Sequence, residues 1–428
     1  MSKNQDADVI VAGTGPAGST AALRLARAGV RVLMLERDAL PRQKPCGGGI
    51  STRALTRFPW LPAALRRIPT NPVSSLYLEG PSGGVFRMVA NGPAIVLIRR
   101  IEYDYLLATL AQEAGAEIVA QAAIAQAAQD RDGVTLKTRD GRVFRAPMVI
   151  AADGVNSVIA RRLGINPGWP RARLALDMME ETPVGTLRAA EPQTLSVFYG
   201  YGGAHGYAYI FPKNAHLNVG IGYMLPYFKE QGDVAPYDLQ RSFVGDLLER
   251  GLVEGESRRE HFTPFLIPIG GPLKTTARGR VLLAGDAGGF VNGFSAEGIY
   301  YAMVTGELAA DAVIAAREGR TDVDPVRARR AYVRAWRHEI GPELRDSVLI
   351  QKYLLHAPDR MDRVVRGAQT RPEFSATLVD FASGRLTYRA ARRRLLWHFP
   401  RLLPRLAMVA FRDRRRKAAY NPAAPLHG

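Results

Sequence analysis

The chain has 428 residues and a formal net charge of +18, with 47% hydrophobic and 23% charged residues. That length supports two or three units with sizeable cores, and the composition is that of an ordinary globular protein. A single cysteine, Cys46, excludes an internal disulfide framework and any Cys-x-x-Cys metal or redox pair.

The positive balance points to an anionic partner, either a phospholipid surface or a polyphosphate substrate, or simply to arginine-rich coding bias. No nucleic-acid motif is visible, so no nucleic-acid partner is expected. The opening residues MSKNQDAD carry no apolar core of a signal peptide. No apolar run reaches the roughly 18 residues of a spanning helix. The expected location is therefore cytoplasmic, or peripheral on the inner face of the membrane.

In chain order, the apolar run Val9 to Ala12 predicts a buried parallel strand. It enters Gly13-Thr14-Gly15-Pro16-Ala17-Gly18, a GxGxxG turn. An Ala/Leu-rich helix follows up to Gly29, and a second apolar run, Val30 to Leu35, ends in Glu36. This is a βαβ unit that binds a dinucleotide. Gly13 permits the tight turn, Gly15 lets the backbone approach a pyrophosphate, and Gly18 lets helix and strand pack closely. The helix start at Pro16 and Ala17 faces the phosphates. Glu36, 18 residues past Gly18, accepts from a ribose 2′-OH and favours FAD or NAD over NADP.

The loop from Arg37 to Gly49 is rich in Pro and Gly, and its bare backbone suits close approach to a flat ligand. Residues 75–98 read as strands, and Arg100 to Gly115 as a helix burying Tyr105, Leu106, Leu107 and Leu110. Residues 116–146 read as a meander, and Met148 to Ala152 as a buried strand ending at Asp153-Gly154. Residues 171–265 read as short strands with Tyr/Gly clusters. Val281 to Ala284 is another buried strand, running into Gly285-Asp286, followed by a long helix from about Gly298 to Arg317. The remainder, 325–420, reads as helical and basic.

Together these give an α/β fold: a dinucleotide-binding Rossmann-like domain, an inserted β-rich substrate domain and a C-terminal helical region. The expected divisions are 1–170 with 270–330 for the dinucleotide (FAD, on the resemblance given below), 171–269 for substrate, and 331–428 for the basic helical region. Residues 75–98 contribute to the substrate domain.

Four motifs in order carry a resemblance: GxGxxG, Arg100-x-x-Tyr103-Asp104, Asp153-Gly154-x-x-Ser157, and Gly285-Asp286-Ala287 leading to Gly293-Phe294-Ser295-Ala296-Glu297-Gly298-Ile299. The pattern resembles FAD-dependent oxidoreductases of the glutathione-reductase-like fold that include the aromatic hydroxylases. Two further pieces narrow it. Pro41 to Gly49 is similar to the Cys-Gly-Gly loop of the geranylgeranyl reductases, and Tyr207-Ala208-Tyr209-Ile210-Phe211-Pro212-Lys213 to their aromatic-x-aromatic-x-Phe-Pro-Lys segment. It departs from the family in having Tyr for the first two aromatics, where Trp is frequent, which bears on the shape of the substrate cavity.

The resemblance implies FAD as cofactor. It would be bound by Gly13, Gly15, Pro16, Ala17, Gly18, Glu36, Arg37, Cys46, Gly47, Gly48, Arg100, Asp153, Gly154, Gly285, Asp286, Gly298 and Ile299. The helix start at Gly298 would favour negative charge on the reduced ring. Tyr207, Tyr209 and Phe211 would line an apolar substrate cavity, and Cys46 and Tyr207 are candidate proton donors. The implied activity is reduction of prenyl C=C bonds, with a flavin monooxygenase acting on an aromatic or polyketide as the alternative. No second dinucleotide motif is present, so the electron donor is a transiently docked NAD(P)H or a ferredoxin. Cys46 also reads as a small hydrophobe in a turn, the Tyr207–Phe211 alternation as one face of a core strand, and Glu297 as a helix-start acid. In the tail, 389–417, Leu395, Trp397, Phe399 and Leu402 between arginine clusters read as a membrane-interface segment or as a buried subdomain with a solvated basic face.

Overall fold

The computed structural model describes residues 5–203, 205–226, 235–317, 323–382 and 385–398, together with 404, 407, 408 and 411. Its first strand, β1 (Val9–Ala12), is wholly buried. It pairs in parallel with β2 (Val32–Leu35) on one side and Met148–Ala151 on the other. Glu117–Val119 extends the sheet beyond β2, and Val281–Leu283 then Ala277–Arg278 extend it beyond Met148–Ala151. Only the last pairing is antiparallel. These strands are apolar on both faces because both are covered. Val9 and Val11 pack toward helix α1 (Pro16–Arg27) and the core helix Ile299–Arg317. Ile10 and Ala12 pack toward the meander Ile124–Gln129, Val134–Thr138 and Val143–Ala146.

The core helix is apolar and 19 residues long, sufficient by length and composition to cross a bilayer, yet 78% of that window is buried inside the protein. It lies tightly against α1: a Cβ at Gly306 would stand 2.1 Å from the Ala17 carbonyl oxygen.

A second sheet of seven strands runs Phe262–Ile267, Ala175–Pro183, His216–Met224, Gly206–Pro212, Thr194–Tyr199, Ser75–Glu79, Val85–Val89. Alternation divides its faces. Ala208 and Ile210 pack with Phe243, Val244 and Leu247 of the helix Pro236–Glu249. Tyr207, Tyr209 and Phe211 face the other way, toward a cavity. The helix Pro236–Glu249 was not expected within a stretch that reads as short strands. A small third sheet pairs Ile95–Ile98 with Gly49–Ser51 and Thr70–Val73. So the strands of 75–98 divide between two sheets.

The helix Arg100–Glu113 differs from expectation in its buried face. Tyr103, Asp104, Leu106 and Leu107 are buried, whereas Tyr105 is 46% exposed. Tyr103 donates to the Met303 sulfur of the core helix, and Asp104 takes an arginine pair. Buried polar groups of this kind need partners, which apolar periodicity does not reveal.

The C-terminal helices begin at Pro325–Glu339, capped by Asp324 Oδ1, which accepts from Val326 N and Arg327 N at 2.9 and 3.1 Å. Tyr332 and Trp336 tie it to the central sheet by hydrogen bonds to the Leu283 carbonyl and to Thr276 Oγ1. Gly341–Leu354, Pro358–Thr370, Pro372–Ala382 and Tyr388–His398 follow.

Candidate active site

The turn after β1 leaves no room for side chains. Gly13 has φ +98°, and a Cβ there would meet the Ala152 carbonyl oxygen at 2.5 Å; one at Gly18 would meet the Gly13 oxygen at 1.9 Å. At Gly15 the nearest atom is Arg42 Nη2 at 3.6 Å, so its backbone borders open space at the start of α1. Glu36 ends β2, 3% exposed. Its Oε2 accepts from Thr14 N at 3.0 Å and Thr14 Oγ1 at 2.6 Å, and Arg42 Nε lies 3.1 Å away. Burial pushes this carboxyl up, but Arg42 and the Thr14 hydrogen bonds outweigh it and hold it below the usual range. Arg42 also reaches Asp104 at 3.1 Å, and Arg100 grips Asp104 with two bonds of 2.7 and 2.8 Å.

One cavity of about 970 Å³ continues from this cradle, near the upper end for a ligand pocket. Gly13, Gly15, Pro16, Ala17, Glu36 and Arg37 line its first part; the Arg37 guanidinium itself turns to Asp38 at 2.9 Å. Asp153, Gly154, Gly285, Asp286, Gly298 and Ile299 line the middle. Gly18 is absent from the lining and serves packing. Asp153 Oδ2 accepts from Val158 N and Ile159 N, leaving Oδ1 buried without a partner among the described residues. The open cradle at Gly15, the buried acid at the end of β2 and this orphaned oxygen fit an adenine dinucleotide.

At the far end the loop Cys46-Gly47-Gly48 is pressed between strands. A Cβ at Gly47 would stand 2.5 Å from the Phe211 ring, and one at Gly48 (φ +75°) would stand 2.1 Å from the Ile98 carbonyl oxygen. Lys213 is buried, pairs with Glu181, and donates to the Cys46 carbonyl at 3.3 Å. The Cys46 sulfur accepts from Gly48 N at 3.4 Å and also faces Arg100. Beyond the loop, Leu195, Val197, Tyr199, Phe294, Leu355 and Phe381 join Tyr207, Tyr209 and Phe211 around the apolar part of the cavity. Tyr199 stacks on Phe294, ring centroids 5.7 Å apart. The Tyr207 hydroxyl donates to the Ser295 carbonyl at 2.7 Å.

Several lining residues escaped the sequence reading. Arg42 and Lys44 stand in the recognised loop, so the motif itself held the signal. Asp177, in the strand Ala175–Pro183, and Arg53, paired with Glu343 of a C-terminal helix at 2.8 Å, reach the cavity through contacts distant in sequence. Burial pushes Asp177 up to about 7 against the lowering by Tyr209, Lys44 and Lys213. Burial brings Lys44 down to about 8, with Asp286 the largest opposing charge. Glu297 neighbours Arg53 and Ser51, and burial raises its carboxyl.

A parallel sheet with a glycine cradle, joined by one cavity to an apolar sheet face, defines the architecture of a dinucleotide-dependent enzyme with an apolar substrate. Residues 6–323 match the model of the FAD binding domain family. The chain is 32% identical over 365 residues to digeranylgeranylglycerophospholipid reductase 2 of Methanothermobacter thermautotrophicus, covering 81% of this chain and 87% of that protein. It is 31% identical over 328 residues to menaquinone reductase of Mycobacterium tuberculosis, covering 73% and 77%. Its fold matches a geranylgeranyl bacteriochlorophyll reductase-like structure from Thermoplasma acidophilum with TM-score 0.75 and 21% identity, covering 94% and 99% of the two chains. The chain belongs to the geranylgeranyl reductase family of FAD-dependent oxidoreductases.

Proposed function

We propose that the protein saturates C=C bonds of a prenyl lipid of the geranylgeranyl type. The observation carrying this reading is the single cavity that joins the FAD cradle, past Cys46-Gly47-Gly48, to a wall of Tyr199, Tyr207, Tyr209, Phe211 and Phe294. The name of the Methanothermobacter relative supports the substrate class. Bound FAD supplies the hydride. Gly13 and Gly15 admit its pyrophosphate, Glu36 and Arg37 flank the adenosine end, and Asp153, Gly154, Gly285 and Asp286 line the path toward the ring. Lys213 holds the Cys46 carbonyl and so fixes the bare Gly47-Gly48 backbone. The N-terminus of the core helix, at Gly298 and Ile299, offers partial positive charge for the ring's developing negative charge. The aromatic wall excludes water from the double bond.

Electrons come from NAD(P)H or a ferredoxin docking transiently. The protein works peripherally on the inner face of the membrane through 389–417. In that segment Trp397 is 83% exposed, while Phe399, Leu402, Leu403 and Leu406 lie outside the described residues. Cosedimentation with anionic vesicles, lost on removing 389–428, tests the docking.

The test of function is mass spectrometry of geranylgeranyl lipids incubated anaerobically with the reduced enzyme. A gain of two hydrogens per double bond is expected. An unchanged lipid panel, with oxygen-dependent hydroxylation of an aromatic compound instead, overturns the proposal.

A further inference from the structure

Reducing an isolated alkene takes a proton as well as a hydride, because an unpolarised C=C does not accept hydride alone. The sequence offers Tyr207 and Cys46 as donors. The Tyr207 proton is held by the Ser295 carbonyl; the Cys46 sulfur accepts from Gly48 N–H and faces Arg100, which does not occupy its own proton, so Cys46 stays a second candidate. Outside the dinucleotide cradle the cavity wall carries the carboxyls of Asp177 and Glu297; Glu297 lies beside the Arg53 guanidinium, whereas Asp177 lies against the aromatic wall.

Asp177 is 5% exposed and lines the cavity. Its strand neighbours are Gly222 on one side, which has no side chain to cover it, and Phe265 on the other. Both carboxyl oxygens face the Tyr209 hydroxyl, at 3.2 and 3.3 Å. Gly220 makes room for that tyrosine: a Cβ there would lie 2.4 Å from the ring. Tyr209 in turn packs on Phe211 with centroids 4.6 Å apart, so the acid sits on the same wall as the expected substrate contacts.

We propose that Asp177 is the general acid of this site, its carboxyl oriented by Tyr209 and delivering the proton to the substrate alkene. This rests on the reading of the protein as a prenyl-lipid reductase. One alkene carbon takes a hydride, with its two electrons, from the reduced flavin. The other takes H⁺ from Asp177, which is left as carboxylate and regains a proton from solvent before the next turnover.

The charged and titratable groups around Asp177 are Tyr209 and Tyr207 on one strand, Lys213 beyond its end, and Lys44 from the loop before Cys46, with its Nζ 3.1 Å from the Phe265 ring centroid. Burial outweighs the two lysines and Tyr209, pushing the acid up to about 7. An acid so placed is half protonated near neutrality, where general acid catalysis is most effective.

The test uses the FAD-loaded full chain, with Asp177→Asn and Asp177→Glu variants, reduced anaerobically and mixed with a geranylgeranyl phospholipid. In the wild type the rate of flavin reoxidation by lipid should fall as pH rises through about 7. Asp177→Asn should be about 100-fold slower or worse and lose that dependence, with FAD content and reaction with oxygen unchanged. Asp177→Glu should recover part of the rate. Independently, infrared titration of the resting protein should reveal one carboxyl protonating near 7 that disappears in Asp177→Asn. An Asp177→Asn enzyme with wild-type rate and pH profile overturns the proposal, as does an Asp177 carboxyl ionised down to acid pH. If the wild type leaves the lipid unreduced, the parent reading falls and this role with it. If the wild type reduces lipid and Asp177→Asn keeps pace, only the role of the acid falls.

Discussion

The Tyr207 hydroxyl donates to the Ser295 carbonyl, joining the aromatic face of the seven-stranded sheet to the loop before the core helix. Burial also raises this phenol far above its ordinary range, so it stays protonated at any working pH. Tyr207→Phe should therefore cost about 1 kcal/mol, the worth of one hydrogen bond, and slow turnover by less than about 10-fold, well short of an acid-catalyst deletion. Thermal melting and single-turnover rates check both.

The cradle glycines should separate into two kinds. Gly18→Ala drives a Cβ into the Gly13 carbonyl at 1.9 Å, backbone against backbone. That variant should be insoluble or severely destabilised. Gly15→Ala meets only Arg42 Nη2 at 3.6 Å, so it should fold normally yet retain less FAD, because the new methyl narrows the cradle. Melting temperature and flavin-to-protein ratio distinguish the two outcomes.

Arg42 bridges Glu36 and Asp104, both buried. Arg42→Ala leaves Glu36 with only the Thr14 and Asp38 hydrogen bonds and no cation, while Asp104 keeps Arg100, and should cost on the order of 1–3 kcal/mol. Glu36 is held below its unfolded value of 4.5, burial opposing and Arg42 with Thr14 prevailing. Its stabilising share is thus present above that value and lost as pH falls through the folded one. Acid titration of stability should be shallower in Arg42→Ala than in the wild type, as measured by denaturant midpoints.

Asp177 has the opposite sign. Its carboxyl rises from 3.8 to about 7, so between those values the native state holds a proton the unfolded chain has released. Stability falls as pH climbs through that window and levels off above it. Asp177→Asn should abolish this slope. Its stability relative to wild type should improve from acid to pH 8, by up to the order of 4 kcal/mol. Equal midpoint differences at both pH values would contradict the shift.

The amino-acid sequence alone determined the dinucleotide-binding unit and the family. The cradle is built by contiguous residues whose roles are local: a glycine needed for φ +98° at Gly13, an acid at the end of a strand, apolar runs long enough for buried parallel strands. The alternation that sends Tyr207, Tyr209 and Phe211 to one face was equally legible. What tertiary structure decided is where charges meet. Tyr105 turns outward while Asp104 turns in, because Arg100 and Arg42 wait there. Arg53 finds Glu343, 290 positions away, and Asp177 acquires its raised pKa from a burial that no local pattern encodes. Apolar periodicity records which side of an element is dry, whereas the partner of a buried polar group depends on the packing of distant elements.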